Sequence, residues 1–129
     1  MEHLRIATVA EQSADFRRVL WTGEHSQVVT MTIPVDGEIG EETHPDNDQI
    51  LLFVSGVGEA RIDGETEAVA EGDLVCVPAG ALHNFVNTGA NPLILLTVYG
   101  PPDHAPGAVH HTKAEAEAAE ESGEDEPPA

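Results

Sequence analysis

Between Phe16 and Pro101 apolar and polar positions alternate over short stretches, the two-residue period of strands with one buried face. "FRRVLW" (16–21) and "SQVVTMTIPV" (26–35) are β-branched, partly alternating runs separated by "TGEH", which predicts a hairpin. "QILLFVSG" (49–56) is a continuous apolar run closed by glycine, the pattern of a strand buried on both faces. "GEARIDGETEAV" (58–69) sets Asp63-Gly64 between two alternating polar segments, a strong short-range hairpin signal. "DLVCVPAG" (73–80) and "LILLTVYGPP" (93–102) read as strands stopped by proline. Strands recurring every ~8–12 residues predict an all-β fold, an antiparallel sandwich or barrel.

Beyond Pro101 the pattern changes. "HHTKAEAEAAEE" offers Thr112 as a helix N-cap and Glu115 three residues later, a capping box ahead of strong helix formers. Gly123 ends that helix, and "EDEPPA" is expected to be disordered. The chain therefore divides into an N-terminal extension (1–15), a barrel (16–112) and an acidic helix with its tail (113–129).

Charge narrows the partners. The 129 residues carry 24 acidic against five basic side chains, a formal charge of −19. That balance argues against nucleic acid, whose phosphates need Lys and Arg, and against an anionic membrane surface. Such a field is self-repulsive without screening, so a salt-adapted, halophilic source is expected. The single cysteine, Cys76, excludes an intramolecular disulfide and reads as a buried structural thiol in mid-strand. The start, "MEHLRIATVAEQ", lacks a basic region followed by an apolar run, and no apolar run is long enough to span a bilayer. A cytoplasmic location is expected.

Two stretches carry candidate chemistry. In "IGEETHPDNDQILLFVSG" (39–56) His44 lies between Glu42 and Gln49 just before a predicted strand. Glu42 and His44, two apart, point the same way on an extended chain and suit either a shared metal or a mutual hydrogen bond. In "GDLVCVPAGALHNFVN" (72–87) His83 follows a strand and the Pro78–Gly80 corner, so rigid backbone would orient it. Asp46 and Asp48 sit in "HPDND", where turn chemistry alone favours them.

Together these stretches resemble the cupin superfamily of jelly-roll barrels, in particular short single-domain cupins. The second cupin motif, G-x5-P-x-G-x2-H-x3-N, is matched by Gly72, Pro78, Gly80, His83 and Asn87. In the first motif, H-x-H-x(3,4)-E-x6-G, His44 falls on the second histidine and Gly56 on the glycine. Glu42 stands where the first histidine is usual, and Gln49 where the glutamate is usual. The resemblance implies an antiparallel jelly roll and a metal set of Glu42, His44, Gln49 and His83. Formal ligand charge stays at −1, because the carboxylate has moved from the fourth position to the first. Two imidazoles and a carboxylate suit Fe, and are acceptable to Mn, Ni or Zn; Gln49 would be a weak neutral ligand or would orient a bound water.

The resemblance further implies a small polar metabolite as substrate or ligand, isomerase, epimerase or dioxygenase chemistry, and a homodimer. A non-catalytic metal- or small-molecule-binding module is the alternative, and fold does not decide between them. His104, His110 and His111 lie past the last strand, near a possible lid, and read as structural or solvated. Trp21, Phe85 and Tyr99 read as wall or core.

Overall fold

The computed structural model describes residues 1–128. The element order is α1 (Ile6–Gln12), β1 (Arg17–Thr22), β2 (Gln27–Ile33), β3 (Asp48–Ser55), β4 (Val57–Ile62), β5 (Glu65–Ala70), β6 (Leu74–Val77), β7 (His83–Asn87), β8 (Leu93–Gly100), β9 (Val109–His110) and α2 (Lys113–Ser122). All strand pairs are antiparallel. A six-stranded sheet in the order β6-β3-β8-β2-β1-β9 faces a three-stranded sheet in the order β5-β4-β7, which is the jelly-roll arrangement. Among the described residues no helix is long and apolar enough to cross a membrane.

The core lies between the sheets. Val29, Met31, Ile33, Leu51, Phe53, Leu93, Leu95 and Tyr99 come from the larger sheet, and Ala60, Val69 and Phe85 from the smaller. The Asp63-Gly64 turn forms where expected, with φ of 48° and 85° at its two central residues. Gly56, between β3 and β4, has φ +92°, and an added Cβ would stand 2.6 Å from the Pro92 carbonyl oxygen. The motif glycine thus answers to a left-handed backbone and a close chain crossing.

Three expectations need correction. β3 is not buried on both faces: Gln49, Leu51 and Phe53 point inward, but Ile50 is 42% exposed. Cys76 is exposed as well, because it sits opposite Ile50 on the outer face of β6. The third concerns the tail. Gly123 adopts the left-handed C-cap of α2, and Asp125 then turns inward and is buried. Its carboxylate accepts from the Ala105 amide at 2.9 Å and pairs with His104 Nδ1 at 2.7 Å. The expected disorder of 124–129 fails at Asp125, because composition cannot foresee its two buried partners about twenty residues upstream; Ala129 lies outside the described residues. The capping box of α2 is present, Thr112 Oγ1 accepting from the Glu115 amide. Unlike α2, α1 carries no sequence signal: it spans seven residues, and Arg5 at its N-cap makes no side-chain cap. It packs on the outside of β2, β3 and β8, burying Ala10.

Candidate metal centre

Backbone pairing brings Glu42 and His83 together. Residues 37–42 run beside β7 as an irregular extra edge: Ile39 donates to Phe85 at 3.0 Å, and Glu42 and His83 exchange amide–carbonyl bonds of 2.9 and 3.0 Å. Residues that exchange both bonds face one another directly, so their side chains emerge side by side. Two residues on, His44 is anchored by its carbonyl, which accepts from the Gly80 amide at 2.9 Å. The Pro78–Gly80 corner therefore positions both histidines. Asn84 and Asp48 support the same frame, accepting from Gly40 and Ala79.

The three side chains converge as anticipated from sequence. Glu42 Oε1 lies 3.1 Å from His44 Nε2 and 3.7 Å from His83 Nε2. Donor atoms of Glu42, His44 and His83 all fall within 4.8 Å of one another. The imidazoles tilt by 38° with centroids 5.2 Å apart. Gln49 enters from β3, buried, its amide nitrogen donating to Thr97 Oγ1 at 3.1 Å and to the Tyr99 hydroxyl at 3.3 Å.

The partners of each group fix which atoms remain free. His83 Nδ1 is 2.9 Å from the Ala81 carbonyl, and a carbonyl can only accept, so Nδ1 carries the proton and Nε2 keeps a lone pair. His44 Nδ1 faces Asp103 Oδ2 at 3.2 Å, which by the same logic makes its Nε2 the free acceptor. Both Nε2 atoms and Gln49 Oε1 are buried without a hydrogen-bond partner. The two Nε2 acceptors, 3.1 and 3.7 Å from Glu42 Oε1, are unfavourable there unless a cation or proton sits among them.

In the absence of an ion, a proton on His44 Nε2 shared with Glu42 meets the same need. Burial alone would raise the Glu42 carboxyl, but polar contacts with His44 and His83 and the charges of His44 and Arg17 outweigh it, holding it well below the usual carboxylate range. Burial would lower His44, yet Glu42 and Asp103 together raise it above its ordinary value. Burial pushes the Tyr99 phenol up, so it stays a neutral hydroxyl.

Sequence reasoning overlooked Asp103, whose carboxylate orients His44, and Arg17, buried at the start of β1. "PPDH" is the one local signal for the first; two consecutive arginines, of which strand alternation must bury one, is the signal for the second. His104 is buried beside Tyr99 at 5.0 Å between ring centroids. His110 is buried on β9, and His111 pairs with Asp15 on the surface. None of these three joins the donor cluster. Trp21 is 40% exposed, whereas Phe85 and Tyr99 belong to the core.

A cleft of about 380 Å³ lined by Glu42, His44, Asp103, His104 and Asp125 leads to the cluster. Roomier clefts lie elsewhere, one of about 610 Å³ beside Phe16, Pro34 and Pro92, and touch none of the four motif residues. Chemistry rather than volume marks the site.

Known proteins place this arrangement. The chain is 40% identical over 124 residues to the uncharacterized protein YrkC of Bacillus subtilis, covering 92% of this chain and 67% of that one. It superimposes on the crystal structure of BH2720 from Bacillus halodurans with a TM-score of 0.90 at 40% identity, covering 92% of this chain and 94% of that one. An acireductone dioxygenase of Parvibaculum lavamentivorans is 33% identical over 99 residues, 67% of this chain and 53% of that enzyme. Residues 29–99, which carry both histidines and the inward faces of β3, β7 and β8, match the cupin domain model, and the chain belongs to the cupin family.

Proposed function

We propose that Glu42, His44 and His83 hold a divalent transition metal, with Gln49 as a weak fourth group, and that the site acts on a small polar metabolite. One observation carries this: two imidazoles, each with Nδ1 committed elsewhere, turn their Nε2 atoms toward the Glu42 carboxylate at 3.1 and 3.7 Å. A bound Fe, Mn, Ni or Zn ion would supply Lewis acidity or, for Fe, a site for dioxygen. The chain's own residues do the rest. Asp103 and Ala81 fix the two rings, while Thr97 and Tyr99 hold the Gln49 amide so that its oxygen faces away from them. Similarity to an acireductone dioxygenase supports catalysis of the isomerase, epimerase or dioxygenase kind over passive storage.

Elemental analysis after purification at high salt tests the metal. Oxygen uptake by Fe(II)- or Mn(II)-loaded protein with small diols and keto acids then tests for turnover. Bound metal with turnover supports the reading; bound metal without turnover on any such compound would leave a binding module, and absence of metal would overturn it.

The same chain is proposed to pair as a homodimer. β6 is a sheet edge, and Leu74 and Cys76 on it stand opposite Leu52 and Ile50 to form an exposed apolar strip. An uncovered edge of this kind invites strand pairing.

A further inference from the structure

The loop that carries Asp103 is gripped from inside the barrel. Gln27 begins β2 opposite Tyr99 of β8 and is fully buried, the polar member of the inward row Gln27, Val29, Met31 and Ile33. Its Oε1 accepts from the Asp103 and His104 amides at 3.1 and 3.0 Å. Its Nε2 donates to the His104 carbonyl at 2.8 Å and to Thr22 Oγ1 at 2.9 Å. Backbone amides can only donate and a carbonyl can only accept, so these partners fix which end of the side chain is oxygen. They also fill its two donor and two acceptor positions. Asn47, in the turn that follows His44, grips the same loop, its Nδ2 donating to the Pro101 carbonyl at 2.5 Å.

β2 needs no such clamp for its own pairing, since Gln27 already meets Thr22 of β1 and Tyr99 of β8 in register. Three of the four bonds go instead to residues 76 and 77 positions away, and they fix the backbone from which the Asp103 carboxylate leaves. That carboxylate ends 3.2 Å from His44 Nδ1. N–H···O bonds hold to about 3.2 Å, so a loop shift of ~1 Å would release the ring. Gln27 itself belongs to neither the donor cluster nor the cleft that leads to it.

We infer that Gln27 is a positioning residue of the metal centre: by clamping residues 103–104 it aims Asp103 at His44 Nδ1, and so turns His44 Nε2 toward Glu42. The clamp and the ring orientation stand on these contacts alone; only what the aimed nitrogen holds rests on the metal reading above.

Co(II) titration against a chelator, with proton NMR of the loaded protein, tests it in Gln27→Met, Asp103→Ala and the variant carrying both. Affinity should fall about tenfold in each single variant, the low end for loss of a group that orients a metal-bound histidine. It should fall no further in the double variant, because the clamp then has no carboxylate to aim. The exchangeable Nδ1–H signal of His44 should shift or broaden in Gln27→Met, while that of His83, held by the Ala81 carbonyl, stays in place. Native affinity in Gln27→Met, losses that add in the double variant, or equal disturbance of the His83 signal would overturn the inference. If Gln27→Met does not fold, the same cycle with Gln27→Glu, which keeps an oxygen for the two amides, decides it. Should the native protein take up no cobalt, the metal reading fails separately. The ring 15N shifts of metal-free native protein and Gln27→Met then decide Gln27: a change at His44 and not at His83 supports it, and no change, or the same change at both, overturns it.

Discussion

Replacing Asp125 by alanine tests how the C-terminal strap is held. The side chain is 1% exposed, with one oxygen 2.7 Å from His104 Nδ1 and the other accepting from the Ala105 amide at 2.9 Å. Alanine leaves a buried imidazole nitrogen and a backbone N–H unmet and removes a countercharge 3.9 Å from Arg17. Hydrogen bonds to charged groups contribute about 1.5–3 kcal/mol each, and breaking one side of a buried pair costs about 3–5 kcal/mol. Because the strap is terminal and can let water in, a loss near the low end, about 3 kcal/mol, is expected. At ~2.1 cal/mol/K per residue, 129 residues give about 0.27 kcal/mol/K, so Tm should fall by about 11 °C.

The assay is thermal and urea unfolding by circular dichroism at constant salt, beside Asp125→Asn, which keeps an acceptor for Ala105 and should lose less. The pH dependence has a definite sign. Burial alone would raise the Asp125 carboxyl, but His104 and the Ala105 amide more than reverse this and hold it below its ordinary value. A carboxyl lowered on folding stabilises above its unfolded pKa and ceases to do so as pH falls through its folded one. The gap between native and Asp125→Ala proteins should therefore close below about pH 4. An Asp125→Ala protein that melts with the native one at neutral pH would refute the reasoning and return the tail to solvent.

Other substitutions probe the site and the frame. Gln49→Glu places a second anion beside Glu42, so metal-free protein should melt lower, while metal affinity measured against a chelator should rise about tenfold or more; a parallel change in both would contradict the placement of Gln49. Gly56→Ala should cost about 2 kcal/mol, read by urea titration, because the new Cβ meets the Pro92 carbonyl at 2.6 Å in a left-handed backbone. Leu74→Asp puts a charge on the exposed β6 edge and should convert dimer to monomer in light scattering. Native protein that is monomeric at every ionic strength would dismiss the dimer.

The parts of this molecule written in local pattern were legible from sequence. Strand alternation, the Asp63-Gly64 turn and the Thr112–Glu115 capping box depend on residues within a few positions of one another, and each forms as read. The Glu42–His44–His83 cluster was legible for another reason: motif spacing fixes two segments that pair directly at residues 42 and 83. What escaped depends on distant partners. Asp125 meets His104 across 21 positions, and Asp103 meets His44 from beyond β3 to β8. Local polarity marks such residues as solvated, and only the closed barrel reverses that. The apolar run 49–56 misled for a related reason. Ile50 and Cys76 satisfy one another on an outer face that the sequence pattern cannot distinguish from an inner one.

Titrating Zn(II) or Mn(II) into chelator-treated native protein and His83→Ala, with Gln49→Ala alongside, tests the central claim most directly. Removing one of only two imidazoles should abolish binding, whereas losing an amide oxygen, a poor donor to a transition metal, should leave roughly one ion per native or Gln49→Ala chain. Full occupancy in His83→Ala together with loss in Gln49→Ala would contradict the assignment of Glu42, His44 and His83 as the metal ligands.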